Sequence, residues 1–385
     1  MSAFSQFDLP RQVVMLSTAD WDAPLWTNKQ QIAVRLAEDF AVLYVEPLVA
    51  MGSGKRSLAR ASHWRDPSGV TVYRPASALP FGNKLWSINK TNARLLAGDI
   101  RQTMWDRGFS QAILWCYPPT SQPFLEFLPH VLSCYDCVDE YSAFPGAWVT
   151  ATKRMEHKLL QSVDAVFTTA RSLFDEKKRH NPHTYFVPNV ADFALFNRAA
   201  TAVPSPLLRD LPRPVIGFVG ALNYKIDTAL LEALFKLRPD WSFVLVGPDR
   251  GLEVQRFLAY PNARFLGRKE IEELPSLMAG FDACMIPYKI DRYTHGVLPL
   301  KFFEYLATGK PVVATRMAEL QNFAPLIDLV GEAEEFVDAV ESRLQSDPHR
   351  DRRLAIAREN SWEKRIGTML GILETIRKEK QEGIE

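Results

Sequence analysis

The chain has 385 residues, which is too many for one ordinary hydrophobic core and enough for two domains. Its hydrophobic content of 47%, charged content of 24% and net charge of +1 are those of a globular protein, and no apolar run approaches the roughly 18–20 residues of a membrane-spanning helix. The N-terminus lacks a basic start followed by an apolar core, so we expect no signal peptide.

The first half of the sequence alternates short apolar strand patterns with amphipathic helix patterns. Strands are predicted at residues 13–16, 41–45, 70–73, 112–116, 131–135, 165–168 and 185–187, and helices at 29–39, 88–105, 150–162 and 171–179. This alternation is typical of a parallel sheet with right-handed crossovers. Residues 199–214 contain four prolines and predict a linker after an N-terminal domain of residues 1–198.

The alternation then restarts. Strands are predicted at residues 215–219, 242–246, 263–266, 283–286 and 312–314, and helices at 228–236, 271–278, 299–308, 332–345 and 352–378. The sequence therefore predicts a second domain at residues 215–360 and a C-terminal helix at 361–385 that could pack back on the first domain. The predicted fold class is α/β, with two Rossmann-like, doubly wound parallel sheets.

The small net charge hides a basic segment at residues 50–108. Ten Lys or Arg stand there against three acids, and Trp64, Phe81, Trp86 and Trp105 are interleaved with them. A basic and aromatic surface suits the interface of an anionic membrane. Nucleic acid would suit it electrostatically, but no nucleic-acid motif accompanies it, and we predict no such partner. Scattered surface charge around core tryptophans is the alternative.

The four cysteines predict no metal or disulfide framework. Cys134 and Cys137 have the spacing of a metal or redox pair, but no second pair or histidine cluster completes it. Side chains three apart on a strand face opposite ways. The favoured interpretation is buried, reduced thiols in a cytoplasmic protein without a bound metal.

Residues 295–314 read as a loop, a helix, a tight turn and a buried strand. Pro299 favours the start of the helix and Gly309 its end. The helix would begin at the carboxyl edge of a parallel sheet, where free backbone N–H groups attract an anion such as a diphosphate. Lys301 in the first turn opposes the helix dipole and so indicates a bound anion, while Glu304 could accept hydrogen bonds from sugar hydroxyls. An ordinary amphipathic helix with solvated side chains is the alternative.

Three further loops are predicted at the same sheet edge. Gly220 ends the strand 215–219 and lets the backbone come close to a ligand, and Asn223 and Lys225 follow it. Gly247 and Arg268 follow the next two strands, and Arg268 could stack on a base. Plain turns with an exposed lysine are the alternative.

Three acidic residues, Asp136, Asp139 and Glu140, follow the predicted strand 131–135 in the first domain. A carboxylate at the carboxyl edge of that sheet could act as a base on an acceptor hydroxyl or orient it, and Asp139 is the candidate. Capping of the following turn is the alternative. The polar, aromatic loop after the first strand, residues 17–28, is a natural acceptor-site position.

The run 299–307 followed by 309–314 resembles the donor-site signature of GT-B glycosyltransferases of the family 4 type, in particular a subset of bacterial polysaccharide-building transferases. The resemblance implies that Glu304 holds the ribose of a nucleotide sugar and that Lys225 and Lys301 share the diphosphate charge. The loop residues assigned with it to donor binding are His295, Gly296, Val297 and Leu298. Many members carry an earlier glutamate where this chain has Gly296, and an arginine where it has Ala221.

The resemblance further implies two domains facing a central cleft and transfer of a sugar, with retention and without metal or cofactor, from a UDP- or GDP-sugar to an acceptor hydroxyl. The acceptor would be a lipid-linked or growing bacterial polysaccharide at the inner face of the plasma membrane. Lys225, Lys301 and Asp139 are the catalytic candidates. Two alternatives stay open: a nucleotide-sugar epimerase of the same fold, with Asp139 and His295 at its site, and a non-catalytic scaffold.

Overall fold

The computed structural model describes residues 3–51, 60–324 and 326–383. Lys55 and Arg56, two cations of the predicted basic segment, lie outside these ranges. The chain forms two compact units: unit 1 contains Met1–Pro188 and Glu363–Glu385, and unit 2 contains Asn189–Trp362. No helix within the described ranges combines the length and the apolar character needed to cross a membrane.

Unit 1 is built on an eight-stranded sheet. Its strands are β1 (Gln12–Leu16), β2 (Ala41–Val45), β3 (Ser62–Arg65), β4 (Thr71–Arg74), β5 (Ile113–Cys116), β6 (Leu132–Cys137), β7 (Ala165–Thr168) and β8 (Thr184–Phe186). The order is β3-β4-β2-β1-β5-β6-β7-β8, and every pairing is parallel except β3 with β4. The central strands are buried because helices cover both faces of a parallel sheet.

In the described part of unit 1, the helices that connect these strands are α1 (Asn28–Leu36), α2 (Trp86–Asp106), α3 (Gln122–Phe127), α4 (Val149–Leu160) and α5 (Arg171–Lys177). All four cysteines of the chain are buried, free thiols. In the basic segment, Trp105 on α2 is 81% exposed, and Phe81, which precedes α2, is 56% exposed. These two aromatic side chains therefore do not lie in a core, unlike the alternative of core tryptophans.

Unit 2 repeats the pattern with a six-stranded parallel sheet. Its strands are β9 (Val215–Val219), β10 (Ser242–Val246), β11 (Ala263–Phe265), β12 (Ala283–Ile286), β13 (Val312–Thr315) and β14 (Asp328–Val330), in the order β11-β10-β9-β12-β13-β14. Its helices are α6 (Phe193–Asn197), α7 (Thr228–Leu237), α8 (Leu274–Ala279), α9 (Leu300–Thr308), α10 (Ala333–Gln345) and α11 (Arg350–Glu359).

The proline-rich segment 199–214 belongs to unit 2, whereas the sequence predicts it as a linker. The backbone N–H of Ser205 donates to the carbonyl of Ser276 at 2.9 Å, and Leu208 is buried. The segment therefore packs on α8, and the division between the units falls ten residues earlier than the predicted domain end.

The last helix, α12 (Trp362–Glu382), returns to unit 1. Its apolar face, which includes Ile366, Leu370 and Leu373, is buried. The guanidinium of Arg365 lies 3.4 Å from the carboxylate of Asp136 in β6, and both side chains are fully buried. An apolar stripe and one buried ion pair therefore hold this helix on the unit 1 sheet.

Candidate functional site

The carboxyl edge of the unit 2 sheet is held together by glycines at the strand ends. The Gly220 N–H donates to the Val246 carbonyl, and the Gly247 N–H donates to the Gly267 carbonyl, both at 2.8 Å. A Cβ on Gly247 would lie 1.9 Å from the Gly220 oxygen, and its φ of +144° disfavours other residues. The loops after β9, β10 and β11 therefore approach one another as bare backbone.

Helix α9 begins at this edge. Pro299 is its N-cap, with ψ at 134°, and Leu300 is the first helical residue, one position later than the sequence predicts. The Val219 N–H donates to the buried Tyr305 hydroxyl at 2.8 Å, which ties α9 to the end of β9. Gly309 ends the helix at φ +74°. The first N–H groups of α9 thus lie beside the β9 loop.

The Lys301 ammonium lies against the end of β9. Its Nζ donates to the Tyr288 hydroxyl at 2.6 Å and lies 5.2 Å from the Phe218 ring centroid and 5.0 Å from that of Tyr288. A Cβ on Gly220 would lie 2.9 Å from Nζ. The aromatic rings favour the cation here, by about 0.5–1 kcal/mol for each ring. Tyr288, which follows β12 by two residues, is therefore a further residue of this site.

Glu304 lies one helical turn beyond Lys301 and is half-buried. Burial raises the pKa of the Glu304 carboxyl to about 7, while the Lys301 charge opposes that rise. No other described residue hydrogen-bonds to this carboxyl. A carboxyl with free acceptor capacity therefore stands next to the cation.

Lys225 approaches the same part of unit 2. Its Nζ lies 4.7 Å from the Tyr293 ring centroid, and its carbonyl accepts from the Lys289 N–H at 2.7 Å. The Lys225 backbone therefore bonds to the residue that follows Tyr288, the partner of Lys301, while the Lys225 ammonium lies on Tyr293. The Asn223 side-chain oxygen accepts from the Lys225 N–H at 3.1 Å, which uses that oxygen to shape the loop and leaves the amide N–H groups for a ligand.

The loop before α9 is only partly available to a ligand. His295 is exposed in the 3₁₀ turn Thr294–Gly296, whereas Val297 and Leu298 are buried. The Leu298 carbonyl accepts from the Asn189 side chain at 2.6 Å. We therefore expect the backbone, and not these two apolar side chains, to face any donor.

Arg268 stands apart from the two lysines. It follows the edge strand β11, is exposed, and pairs with Glu270 at 3.4 Å. One strand, β10, separates β11 from β9, so these two strands are about 10 Å apart at the usual strand spacing. The structure thus brings Gly220, Lys225, Lys301 and Glu304 together and leaves Arg268 at the periphery of the sheet edge.

In unit 1 the acidic residues differ in availability. Asp136 lies within β6 and pairs with Arg365; burial raises the pKa of its carboxyl and Arg365 opposes this. Glu140 caps the 3₁₀ turn Tyr141–Ala143, and although burial acts in the other direction, Lys177 holds its pKa below the usual value. Asp136 and Glu140 therefore serve the structure of unit 1, Glu140 through the capping that the sequence left open as the alternative. Asp139 is half-buried at the end of β6 and remains the candidate of this group.

Unit 1 also contains a cavity of about 200 Å³ at the carboxyl ends of β1, β2 and β5. Hydroxyl-bearing residues line it together with Glu46, which lies directly after β2 and accepts from the Trp21 N–H at 2.8 Å. The predicted acceptor loop 17–28 therefore borders this cavity. Glu46 is not among the residues predicted from the sequence, although a single acid after a buried strand is the signal that indicates it.

Part of unit 2 is similar to a family of known proteins. Residues 213–346 match the family described as glycosyl transferases group 1. TuaH of Bacillus subtilis, a putative teichuronic acid biosynthesis glycosyltransferase, is 30% identical over 226 residues, which cover 54% of this chain and 56% of that protein. The chain thus aligns with about half the length of that relative.

Solved structures share the fold across the whole chain. A UDP-forming trehalose-phosphate synthase from Burkholderia vietnamiensis has a TM-score of 0.71 at 13% identity, covering 96% of this chain and 98% of its own. Sucrose-phosphate synthase from Thermosynechococcus elongatus has a TM-score of 0.64 at 16% identity, covering 97% and 98%. Anabaena HepE, solved with UDP and glucose, has a TM-score of 0.61 at 16% identity, covering 98% and 99%. At these identities the matches confirm the predicted GT-B fold class and say nothing of substrate.

Proposed function

We propose that the protein transfers a sugar from a nucleoside-diphosphate sugar to an acceptor hydroxyl, because residues 213–346 match the group 1 glycosyltransferase family and the chain has the GT-B fold. One observation carries the proposal: the Lys301 ammonium lies beside Gly220, at the end of β9 and the start of α9. That position combines a fixed charge with the free N–H groups of a helix start, which is the chemistry that binds a diphosphate.

In the proposed reaction the bond between the anomeric carbon and the diphosphate oxygen breaks, and the acceptor oxygen bonds to that carbon. Negative charge develops on the leaving diphosphate, where Lys225, Lys301 and the α9 N–H groups stabilise it. The Glu304 carboxylate accepts hydrogen bonds from the ribose hydroxyls. Asp139 keeps its predicted role as the group that accepts or orients the acceptor proton.

We further propose a cell-surface polysaccharide as the acceptor, since the aligned Bacillus relative is named for teichuronic acid biosynthesis. UDP- or GDP-sugars as donors, retention of configuration, independence of metal, and a cytoplasmic site at an anionic membrane surface all remain predictions. The exposed Trp105 and Phe81 in the basic segment support membrane contact. Sedimentation with anionic and with neutral vesicles tests membrane contact. Equal binding of the protein to both kinds of vesicle would contradict it.

A donor panel with mass-spectrometric product detection tests the activity. We expect nucleotide release from one UDP- or GDP-sugar that depends on an added acceptor. Lys301→Ala should lower kcat/KM by about 100-fold or more, because it removes charge that stabilises the leaving group. The matched control is Lys236→Ala, which replaces an exposed lysine at the end of α7 far from the Lys225 loop. This variant should retain activity. Release without acceptor and with an epimerised sugar would instead identify an epimerase, and no turnover of any donor would identify a scaffold.

A further inference from the structure

A second cavity in unit 1, of about 420 Å³, lies between the start of α2 and a side of α4 that extends from its first turn to Lys158. Lys84, Leu85 and Trp86 line one side, and Trp148, Val149, Arg154 and Lys158 are among the residues of the other side. Each helix follows a parallel strand, α2 after β4 and α4 after β6. Both helix starts therefore lie at the carboxyl edge of the sheet, where open α/β sheets bind ligands.

Two cation–π contacts cross this cavity in opposite directions. Lys84 Nζ, on the α2 side, lies 3.9 Å from the Trp148 ring centroid, and Lys158 Nζ, on α4, lies 4.7 Å from that of Trp86. Among the described residues, no carboxylate pairs with Lys84, Arg154 or Lys158. Three positive charges therefore surround one cavity without compensation.

The rim of the same cavity is apolar and exposed. Leu85, Trp148 and Val149 are 47%, 46% and 40% exposed, although each is a large hydrophobic side chain. An exposed apolar patch of this kind marks a binding surface. A free anion would need only the cations of the cavity. An anion attached to an apolar chain would use both the cations and the apolar rim, so it matches this cavity better.

We propose that this cavity binds the phosphate or diphosphate end of a lipid. The phosphate oxygens contact Lys84, Arg154 and Lys158, and the first part of the chain lies on Leu85, Trp148 and Val149. The site deepens the proposed function, on which its biological role rests, by naming the carrier of the acceptor as a lipid phosphate. Binding itself is measured without donor or transfer, so failure of one proposal is distinguishable from failure of the other.

Calorimetric titration of the full chain with farnesyl phosphate tests the proposal, with farnesol and inorganic phosphate as partial ligands. We expect both partial ligands to bind at least about tenfold more weakly than farnesyl phosphate, because each lacks one half of the recognition. Equal affinity for inorganic phosphate would reduce the site to a simple anion site, and equal affinity for farnesol would make it a non-specific apolar patch. Either result overturns the proposal.

Variants test the location. Lys84→Ala with Lys158→Ala should weaken farnesyl phosphate binding by at least about tenfold. The control pair is Arg94→Ala with Arg101→Ala, two exposed cations of α2 outside the cavity, and it should bind normally. If both pairs weaken binding equally, only the general charge of α2 attracts the lipid and the cavity assignment fails.

An aromatic pair keeps the location testable if the double lysine variant does not fold. Trp148→Ala should weaken binding, whereas Trp105→Ala, which removes the most exposed tryptophan of α2, should not. Equal loss in both tryptophan variants, with normal circular dichroism, would contradict the assignment.

Discussion

Glu304 shows the conflict between stability and binding at a single residue. Its carboxyl is half-buried with free acceptor capacity, and burial raises its pKa to about 7. The folded state therefore holds a proton that the unfolded state releases at a pKa near 4.5. A group that destabilises the free protein at neutral pH is typical of a site that a ligand completes.

We expect Glu304→Gln to stabilise the ligand-free protein at alkaline pH. The folded pKa lies above the unfolded one, so this group lowers stability as pH rises from about 4.5 to about 7, and its full cost is present above pH 7. The substitution should therefore raise the unfolding free energy by about 1–3 kcal/mol at pH 8 and by less at pH 5. Urea unfolding at the two pH values measures it. Glu359→Gln, an exposed carboxyl of α11, is the control, and an equal gain at both pH values for Glu304→Gln would contradict the argument.

Tyr288 positions Lys301 through a single hydroxyl. Tyr288→Phe keeps the ring beneath the ammonium and removes only the 2.6 Å hydrogen bond. We expect the donor KM to rise about three- to tenfold, as for the loss of one typical hydrogen bond, with little change in melting temperature. Tyr224→Phe, in the neighbouring loop, is the control. A donor KM that does not change in Tyr288→Phe would show that the hydroxyl does not orient the lysine.

At the scale of elements, the glycines at the strand ends allow the loops at the carboxyl edge of the unit 2 sheet to pack closely. Gly247→Ala should destabilise the protein by about 3 kcal/mol or more and abolish donor binding, since its Cβ would lie 1.9 Å from the Gly220 oxygen. Gly251→Ala, at φ +97° with nothing within 4 Å, carries only the backbone strain and should cost about 1 kcal/mol. Chemical unfolding of both variants measures the difference. Equal costs would show that the close approach of the two loops is unimportant.

Local patterns located most elements and missed those that lack a buried face. Helix α9 was predictable because Pro299 and Gly309 mark its ends and a buried strand follows. Strand β3 was missed because its residues are mostly exposed and do not alternate clearly between apolar and polar. An edge strand tolerates such a sequence. Strand β14 was missed because three residues carry too little pattern. The contact between Lys301 and Tyr288 joins residues that local spacing does not relate, so the sequence could not predict it.

At the scale of the molecule, the units are defined by long-range contacts that composition does not report. Four prolines predicted a linker at 199–214, but Leu208 is buried in unit 2 and the chain divides at Asn189. The packing of α12 on unit 1 depends on the ion pair between Arg365 and Asp136, which are 229 residues apart in the sequence. A composition shift therefore indicated two domains correctly and their boundary only approximately.

We expect Arg365→Ala to destabilise unit 1 selectively. It leaves the fully buried Asp136 carboxyl without its partner, which typically costs about 3–5 kcal/mol. Hydrogen exchange should become faster in β6 and α12, while β9 and β10 of unit 2 keep their protection. Arg377→Ala breaks a more exposed pair with Asp8 and should change little. Uniform loss of protection in both units would contradict the selective role.

The central claim is that unit 2 grips the nucleotide diphosphate at the start of α9. Calorimetric titration of a UDP- or GDP-sugar into the wild type and Lys301→Ala tests it most directly, with Lys236→Ala as the matched control. We predict that Lys301→Ala binds the donor at least about tenfold more weakly and that the control binds like the wild type. Unchanged donor affinity in a folded Lys301→Ala variant would contradict the claim.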